Sequence, residues 1–270
     1  MASVRSSTFF ATHPVFSHDE YLAARGVRQN RSPCTADSLL ARHAAAGQIA
    51  RIRRGLYATV PVGAAPDTFE PDPFLVATKL APDAALAYHA ALQFRGKTYS
   101  VWHRFAVLTR SHLRPLQYRG SDFVCVHPPH AFDGQPDLGG GILPEAHAGG
   151  TVRATSLERS LVDVLDAPDL AGGWEEVWRS LEMVDYFDLA AVADYALKLG
   201  SALTIARVGF FLEQHRDALF VEEKHLLGLR EKAPRQPRYM DAKRDAGRLV
   251  KPWNLVVPER ILNRTWADVA

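Results

Sequence analysis

The chain has 270 residues, enough for about two domains at roughly 150 residues each. Apolar residues make up 47% of it and charged residues 23%, an ordinary globular composition that excludes wholesale disorder. The formal charge is only +2, which taken whole speaks against a dedicated nucleic-acid binder. No apolar run approaches the ~18 residues of a membrane span. The start, MASVRSSTFFATHPVF, lacks the continuous apolar stretch of a secretory signal. Cys34 and Cys125 belong to no C-x-x-C pair, which suits a reducing cytoplasm and offers no metal or redox framework.

The first sixty residues are the most readable. A helix is expected within residues 3–12. Ser17-His18-Asp19-Glu20 is an S-x-x-E capping box, with Phe16 and Tyr21 at the two positions of a hydrophobic staple. The helix they open runs over 18–25 and stops at Gly26. After a turn at 30–33, a third helix starts at Thr35 or a neighbour and ends at Gly47. Its apolar residues Ala36, Leu39, Leu40 and Ala44 share one face, and Thr35, Ser38 and Arg42 share the opposite one. Ile49, Arg51 and Arg53 then alternate with Ala50 and Ile52 in the period of a half-buried strand. Arg54-Gly55 marks a turn, and 56–60 reads as the returning strand. Three helices followed by a hairpin with arginine at its tip make a winged helix-turn-helix.

Residues 61–73, with Pro61, Pro66, Pro71 and Pro73, read as a connection. Helices are expected over about 72–80 and 84–95, so that Tyr88 and His89 are helical. Strands are expected at 105–109, 122–126 and 151–154, with a Gly- and Pro-rich loop or hairpin over 133–150. Thr155-Ser156-Leu157-Glu158 is a second capping box, opening a helix whose buried face holds Leu157, Leu161, Val162 and Leu165. Trp174, Val177, Trp178 and Leu181 repeat that spacing. Asp188 caps a helix ending near Gly200, Ser201 caps one reaching His215, a further helix covers 222–231, and 253–257 is a late strand. The fold class is α+β: a winged helix over residues 1–62, then a larger domain over 63–270 with a small sheet and a helix-rich C-terminal part.

Charge is segregated along this plan. Residues 1–60 carry eight arginines against three carboxylates, a net +5; residues 61–229 carry −8; residues 230–251 carry +5 again. The first basic block lies on the helix–hairpin unit. A helix fits the major groove, where small polar and arginine side chains reach base edges. The DNA-binding candidates are therefore Arg31, Thr35, Ser38 and Arg42 around the third helix, with Arg51, Arg53 and Arg54 on the hairpin against phosphates. Arg235, Arg238, Lys243, Arg244 and Arg248 form a candidate second basic patch, either extending that footprint or facing an acidic partner.

Val15-Phe16-Ser17, Leu39-Leu40, Gly47-Gln48-Ile49 and Arg53-Arg54-Gly55-Leu56-Tyr57 together resemble the N-terminal domain of the AbiEi family of antitoxins. Ala87-Tyr88-His89-Ala90-Ala91-Leu92 with Gly96-Lys97 and Tyr99 is similar to the helix after the wing in that family. Arg159-Ser160-Leu161-Val162-Asp163, Gly172-Gly173-Trp174-Glu175-Glu176-Val177-Trp178, Val208-Gly209-Phe210-Phe211-Leu212-Glu213 and Trp253-Asn254-Leu255-Val256-Val257-Pro258 extend the resemblance over residues 15–258. It implies a bacterial type IV toxin–antitoxin system. The winged helix would bind inverted repeats at its own promoter and repress it. The C-terminal domain would neutralise a nucleotidyltransferase toxin encoded beside it, with or without a stable complex. On that reading Tyr88, His89, Arg159, Asp163 and Trp174 are candidates for an antitoxin or partner surface.

Catalytic and metal-binding patterns are not expected. Two prolines in His127-Pro128-Pro129-His130 forbid the helical geometry that aligns a ligand pair. Gly139-Gly140-Gly141 lacks the Lys-Ser/Thr of a phosphate loop and reads as a turn. Glu175-Glu176 reads as first-turn charge on a helix dipole, and Arg159 with Asp163 as a surface or partly buried i, i+4 pair. No cofactor is implied, and neither a catalytic nor a metal site. The competing readings are a winged-helix regulator that senses a ligand or partner and has no toxin, and a DNA-modifying enzyme, which would need a carboxylate or His/Cys cluster that the chain does not display.

Overall fold

The computed structural model describes residues 6–25 and 33–266, the first four of the latter by their backbone alone. The chain forms two compact units. The first is made of Met1–Leu86, His103–Val126 and Leu143–Ala154, and the second of Ala87–Trp102, His127–Ile142 and Thr155–Ala270. The division therefore does not run at residue 62. The physical reason is that the helix–hairpin segment is bonded to residues 66–80. Glu20 pairs with Lys79, Arg53 donates to the Leu80 carbonyl, and Gly47 sits so close to Pro66 that a Cβ there would meet the proline ring at 2.8 Å.

In the first unit, α1 (Ser6–Thr12), α2 (His18–Ala24), α3 (Pro33–Ala45), β2 (Ile49–Arg53) and β3 (Leu56–Thr59) follow the expected plan, and a short strand β1 (Val15–Ser17), which it did not include, lies between α1 and α2. The three strands order β1-β3-β2, antiparallel throughout, which is the winged-helix arrangement. The capping box is present: Ser17 Oγ accepts from the Glu20 amide at 3.1 Å, and Glu20 Oε2 accepts from the Ser17 amide at 2.8 Å. The staple residues Phe16 and Tyr21 lie with ring centroids 6.1 Å apart. They belong to a core of Phe9, Phe10, Phe16, Tyr21, Leu40 and Ile49, with Tyr57 stacked on Phe16. Gly26, the turn at 30–32 and Arg31 lie outside the described residues.

The hairpin departs from strict alternation. Arg51 pairs with Tyr57 and Arg53 with Leu56, leaving Ile52 as an extra residue in a bulge. Ile49 and Ile52, three apart, are consequently both buried. A bulge resets the side-chain period by one, so reading period 2 straight through the strand puts Arg53 on the face of Arg51.

The same unit holds α4 (Pro73–Thr78), β4 (Ala85–Leu86), β5 (Arg104–Leu108), β6 (Leu116–Tyr118), β7 (Ser121–Val126), β8 (Ile142–His147) and β9 (Gly150–Thr155). Its six-stranded sheet orders β6-β7-β5-β4-β9-β8, with α4 against β4 and β5. Pairs β5·β7 and β4·β9 are parallel; β4·β5 and β6·β7 are antiparallel. Asp72 caps α4 through the Leu75 amide and takes a second contact from His147 Nε2 at 2.7 Å. The helix expected over 84–95 is thus split. Residues Ala84 to Ala87 have no exposed surface, and Ala85 and Leu86 pair within the sheet, so burial between strands overrides alanine's helix propensity. Tyr88 turns with φ +54°, and helix begins only at His89.

In the second unit, α5 (His89–Phe94), α6 (Leu157–Asp166), α7 (Trp174–Glu182), α8 (Leu189–Leu199), α9 (Ala202–Gln214), α10 (Glu223–Lys232) and α11 (Glu259–Leu262) accompany a sheet of β10 (Arg238–Tyr239), β11 (Gly247–Val250) and β12 (Leu255–Pro258). Asp188 and Ser201 cap α8 and α9 as expected, and Gly200 closes α8 at φ +74°. The second capping box does not form, and a single cap stands one residue later. Ser156, not Thr155, accepts from the Arg159 amide, while Thr155 is buried against Ser160 Oγ at 2.8 Å. Trp253 precedes the late strand rather than joining it. Its ring lies over Gly209 of α9, where a Cβ would come within 2.2 Å.

Phe16→Ala is expected to cost about 3–5 kcal/mol of stability, because a buried ring leaves a cavity among other rings. Urea denaturation followed by tyrosine and tryptophan fluorescence checks it; a loss below about 1 kcal/mol would contradict the role assigned to this core.

Candidate nucleic-acid interface

The DNA-binding candidates fall into three groups. Ser38, Arg42, Arg51 and Arg54 are exposed. Ser38 and Arg42 lie one turn apart on α3, facing away from Leu40, and Arg51 and Arg54 stand on the hairpin. Between helix and hairpin runs a groove of about 720 Å³, lined among others by Asp37, Ala41, Arg51, Arg54 and Tyr57. Arg53 belongs elsewhere: it is half-buried and its guanidinium donates to the Leu80 carbonyl, so it braces the wing instead of facing a ligand. The bulge at Ile52 is the cause, since it turns Arg53 away from the side Arg51 faces. Thr35 lies in α3, but its side chain, like Arg31, is outside the described residues.

The groove also carries carboxylates, which a charge count along the chain does not place. Asp37 Oδ1 lies 3.0 Å from His18 Nε2, and Asp19 Oδ1 lies 3.6 Å from His18 Nδ1. The cationic end of the groove is therefore the hairpin, and the N-terminal end of α3 is acidic.

The candidate partner-surface residues are all interior. Tyr88, His89, Arg159, Asp163 and Trp174 are each buried, with Arg159 at 1% and Asp163 at 3% exposure. The pair is not at the surface, because α6 turns it onto the loop that precedes β8. Arg159 Nε donates to Asp163 at 3.1 Å, and its Nη1 donates to the carbonyls of Leu138 and Gly140. Tyr195 of α8 donates to the other Asp163 oxygen at 2.9 Å. Burial works against the charge of Arg159, but Asp163 together with the Tyr195 and Tyr88 hydroxyls outweighs it and raises the pKa. Burial raises the pKa of both Tyr88 and Tyr195.

Glu176 is also not the simple first-turn charge expected. Its carboxylate accepts from the Ser100 amide at 2.9 Å, Ser100 Oγ at 2.6 Å and Ser180 Oγ at 3.1 Å, and lies 3.0 Å from His89 Nε2. Despite burial, these hydrogen bonds lower its pKa. His89 stacks on Trp102, and burial lowers its pKa against the pull of Glu176. Ser100 donates to the carboxylate and not to the imidazole, so His89 is not placed to activate it as a nucleophile. Spacing could have flagged Glu176: Ser180 follows it at i+4, beside Val177 at the edge of the buried face. Glu175, by contrast, pairs with Arg179 at the surface.

Arg235, Arg238, Lys243, Arg244 and Arg248 are all exposed. Among the described residues no group of three or more His, Cys, Asp or Glu side chains could hold a metal ion. Nor is any helix among them long and apolar enough to cross a membrane.

No known protein family matches the chain, and no curated protein does. Among solved structures it is similar in fold to the crystal structure of the Rv2827c protein from Mycobacterium tuberculosis, with a TM-score of 0.58 at 16% identity, over 95% of this chain and 90% of that one.

Arg159→Ala should cost about 3–5 kcal/mol, the loss expected when one member of a buried pair is stranded, measured by urea unfolding. His89 and Glu176 both have folded pKa values below their ordinary ones of 6.5 and 4.5. The unfolded chain therefore takes up protons first on acidification. Their contribution to stability is complete above pH 6.5, begins to fall below it as His89 protonates in the unfolded state, and falls further below 4.5. His89→Gln should flatten the dependence of the unfolding midpoint on pH between about 7 and about 5.5; an unchanged slope would remove His89 as its source.

Proposed function

We propose that the chain is a DNA-binding antitoxin of a type IV toxin–antitoxin system, which represses its own operon and neutralises a nucleotidyltransferase toxin. The observation that carries the DNA reading is the exposure, within one helix–hairpin segment, of Ser38 and Arg42 on α3 and of Arg51 and Arg54 on the hairpin. The helix of 13 residues spans about 20 Å and fits the ~12 Å width of a major groove. Arg51 and Arg54 then meet phosphates beside it, and Ser38 and Arg42 reach base edges. The carboxylates at the other end of the groove keep phosphates toward the hairpin.

The antitoxin half rests on the resemblance across residues 15–258, since the candidate partner-surface residues are interior. Inverted repeats at the promoter would be the operator, and the cytoplasm the compartment.

Promoter DNA titrated by fluorescence anisotropy tests the first half. Arg51→Ala with Arg54→Ala should weaken binding to all sequences and flatten the log–log salt slope by about 1.8, at about 0.9 per phosphate contact. Arg42→Ala should mainly relax sequence preference. Arg53→Ala should lower stability and leave the salt slope unchanged. Unaltered affinity in the Arg51/Arg54 double variant would overturn the interface. Growth rescue on co-expression with the neighbouring gene tests the second half, and failure there leaves a winged-helix regulator without a toxin.

A further inference from the structure

The second unit holds a basic surface that the winged helix does not account for. In the β10-β12-β11 sheet, Leu255 and Val257 of the central strand are completely buried, so Val256 between them points to the opposite face. The register sets Tyr239 on one side of Val256 and Leu249 on the other. Tyr239 is 45% exposed and Leu249 40%. Three apolar side chains thus form a row across the open face of a small sheet.

In the segments that flank these strands Arg235, Lys243, Arg244 and Lys251 are exposed; Arg238 and Arg248 are exposed too, but the register sets them against Leu255 and Val257, off the Val256 face, and Arg248 pairs with Glu259 at 3.5 Å. The Arg244 guanidinium lies 6.0 Å over the Tyr239 ring. The carboxylates of the same stretch are already engaged: Asp241 and Asp245 both pair with Arg260, at 3.1 Å each. A groove of about 640 Å³ leads away beside β10, lined by Lys232, Arg235 and Arg238 with Glu231 as its one carboxylate. The surface combines a flat aromatic and aliphatic centre with an excess of cations over carboxylates.

We propose that this sheet face binds a segment of single-stranded nucleic acid, stacking an unpaired base on Tyr239 and holding the flanking phosphates on the surrounding lysines and arginines. Charge complementarity selects a polyanion. The apolar row selects a strand whose bases are free, because a duplex keeps its base faces stacked inside and presents none to Tyr239. Neither stacking nor phosphate contact uses the 2′-hydroxyl, so RNA and single-stranded DNA share the chemistry. The site is independent of the winged-helix reading and does not need it.

The test uses the full chain carrying Arg42→Ala, Arg51→Ala and Arg54→Ala, so that the α3 groove contributes little. Labelled oligo-rU and oligo-dT of about 12 nucleotides, within the site sizes of single-strand binders, are titrated by anisotropy, with a duplex of the same length and polyglutamate as competitors. Both single strands should bind, with a salt slope of about −0.7 per phosphate engaged. Adding Tyr239→Ala should weaken them about tenfold, within the range measured for one base–aromatic stack. Tyr239→Phe should retain binding, since the ring face is kept. Lys243→Glu with Lys251→Glu should weaken binding and flatten the salt slope. The proposal is overturned if Tyr239→Ala binds as tightly as its parent, or if the duplex or polyglutamate competes as well as an unlabelled single strand. The first outcome removes the stack, and the second leaves a general anion surface.

Discussion

Phe16 has no exposed surface, and its ring meets those of Phe9, Phe10, Tyr21 and Tyr57. The geometry of the winged helix depends on this contact. A three-residue strand places Phe16 between α1, α2 and the hairpin, and Ser17 must then start α2 at once. Leu40 from α3 and Ile49 from β2 close the same core, so the helix and the wing are positioned by one cluster. Burying each such side chain is worth about 1.5–3 kcal/mol, against about 1 kcal/mol for the Ser17 cap and at most about 1 kcal/mol for a part-exposed pair such as Glu20–Lys79. Packing sets the shape of this helix–hairpin segment, and polar contacts trim it. With Leu40 turned inward, Ser38 and Arg42 on the other side of α3 are left exposed.

In the second unit the corresponding constraint is buried charge. A guanidinium without water must find acceptors elsewhere. Arg159 finds them on Asp163 of its own helix and on the carbonyls of Leu138 and Gly140, which fastens a glycine-rich loop to α6. Glu176 does the same for residues 97–102, gathering Ser100, Ser180 and His89 on one carboxylate. These residues stand out in the sequence because they hold the interior in register. Their chemistry is spent inside the fold.

Much of the fold was legible from local rules. The capping box at Ser17, the caps at Asp188 and Ser201 and the αL glycine at Gly200 are short-range signals, and each stands where spacing put it. The misreadings share a cause. Residues 84–87 carry helix propensity, yet Ala85 and Leu86 pair in a sheet whose partners lie at 107–108 and 154. Arg53 shares period 2 with Arg51 in sequence but follows a bulge whose register is set by β3. The second cap moved from Thr155 to Ser156 because Thr155 is drawn into the core by Ser160. In each case a contact outside the local pattern outweighed a preference of about 1 kcal/mol or less.

The sequence by itself determined the helix–helix–helix–hairpin order, the placing of basic charge at residues 1–60 and 230–251, and the α+β class, because periodicity, caps and charge are properties of neighbouring residues. Only the tertiary structure decided which of the marked side chains are available. Arg51 and Arg53 look equivalent along the chain, but the bulge sends one to solvent and the other to the Leu80 carbonyl. Arg159 and Asp163 read along the chain as a surface or partly buried pair, but packing encloses them. Availability depends on what covers a residue, and the covering atoms come from segments that the local sequence does not contain.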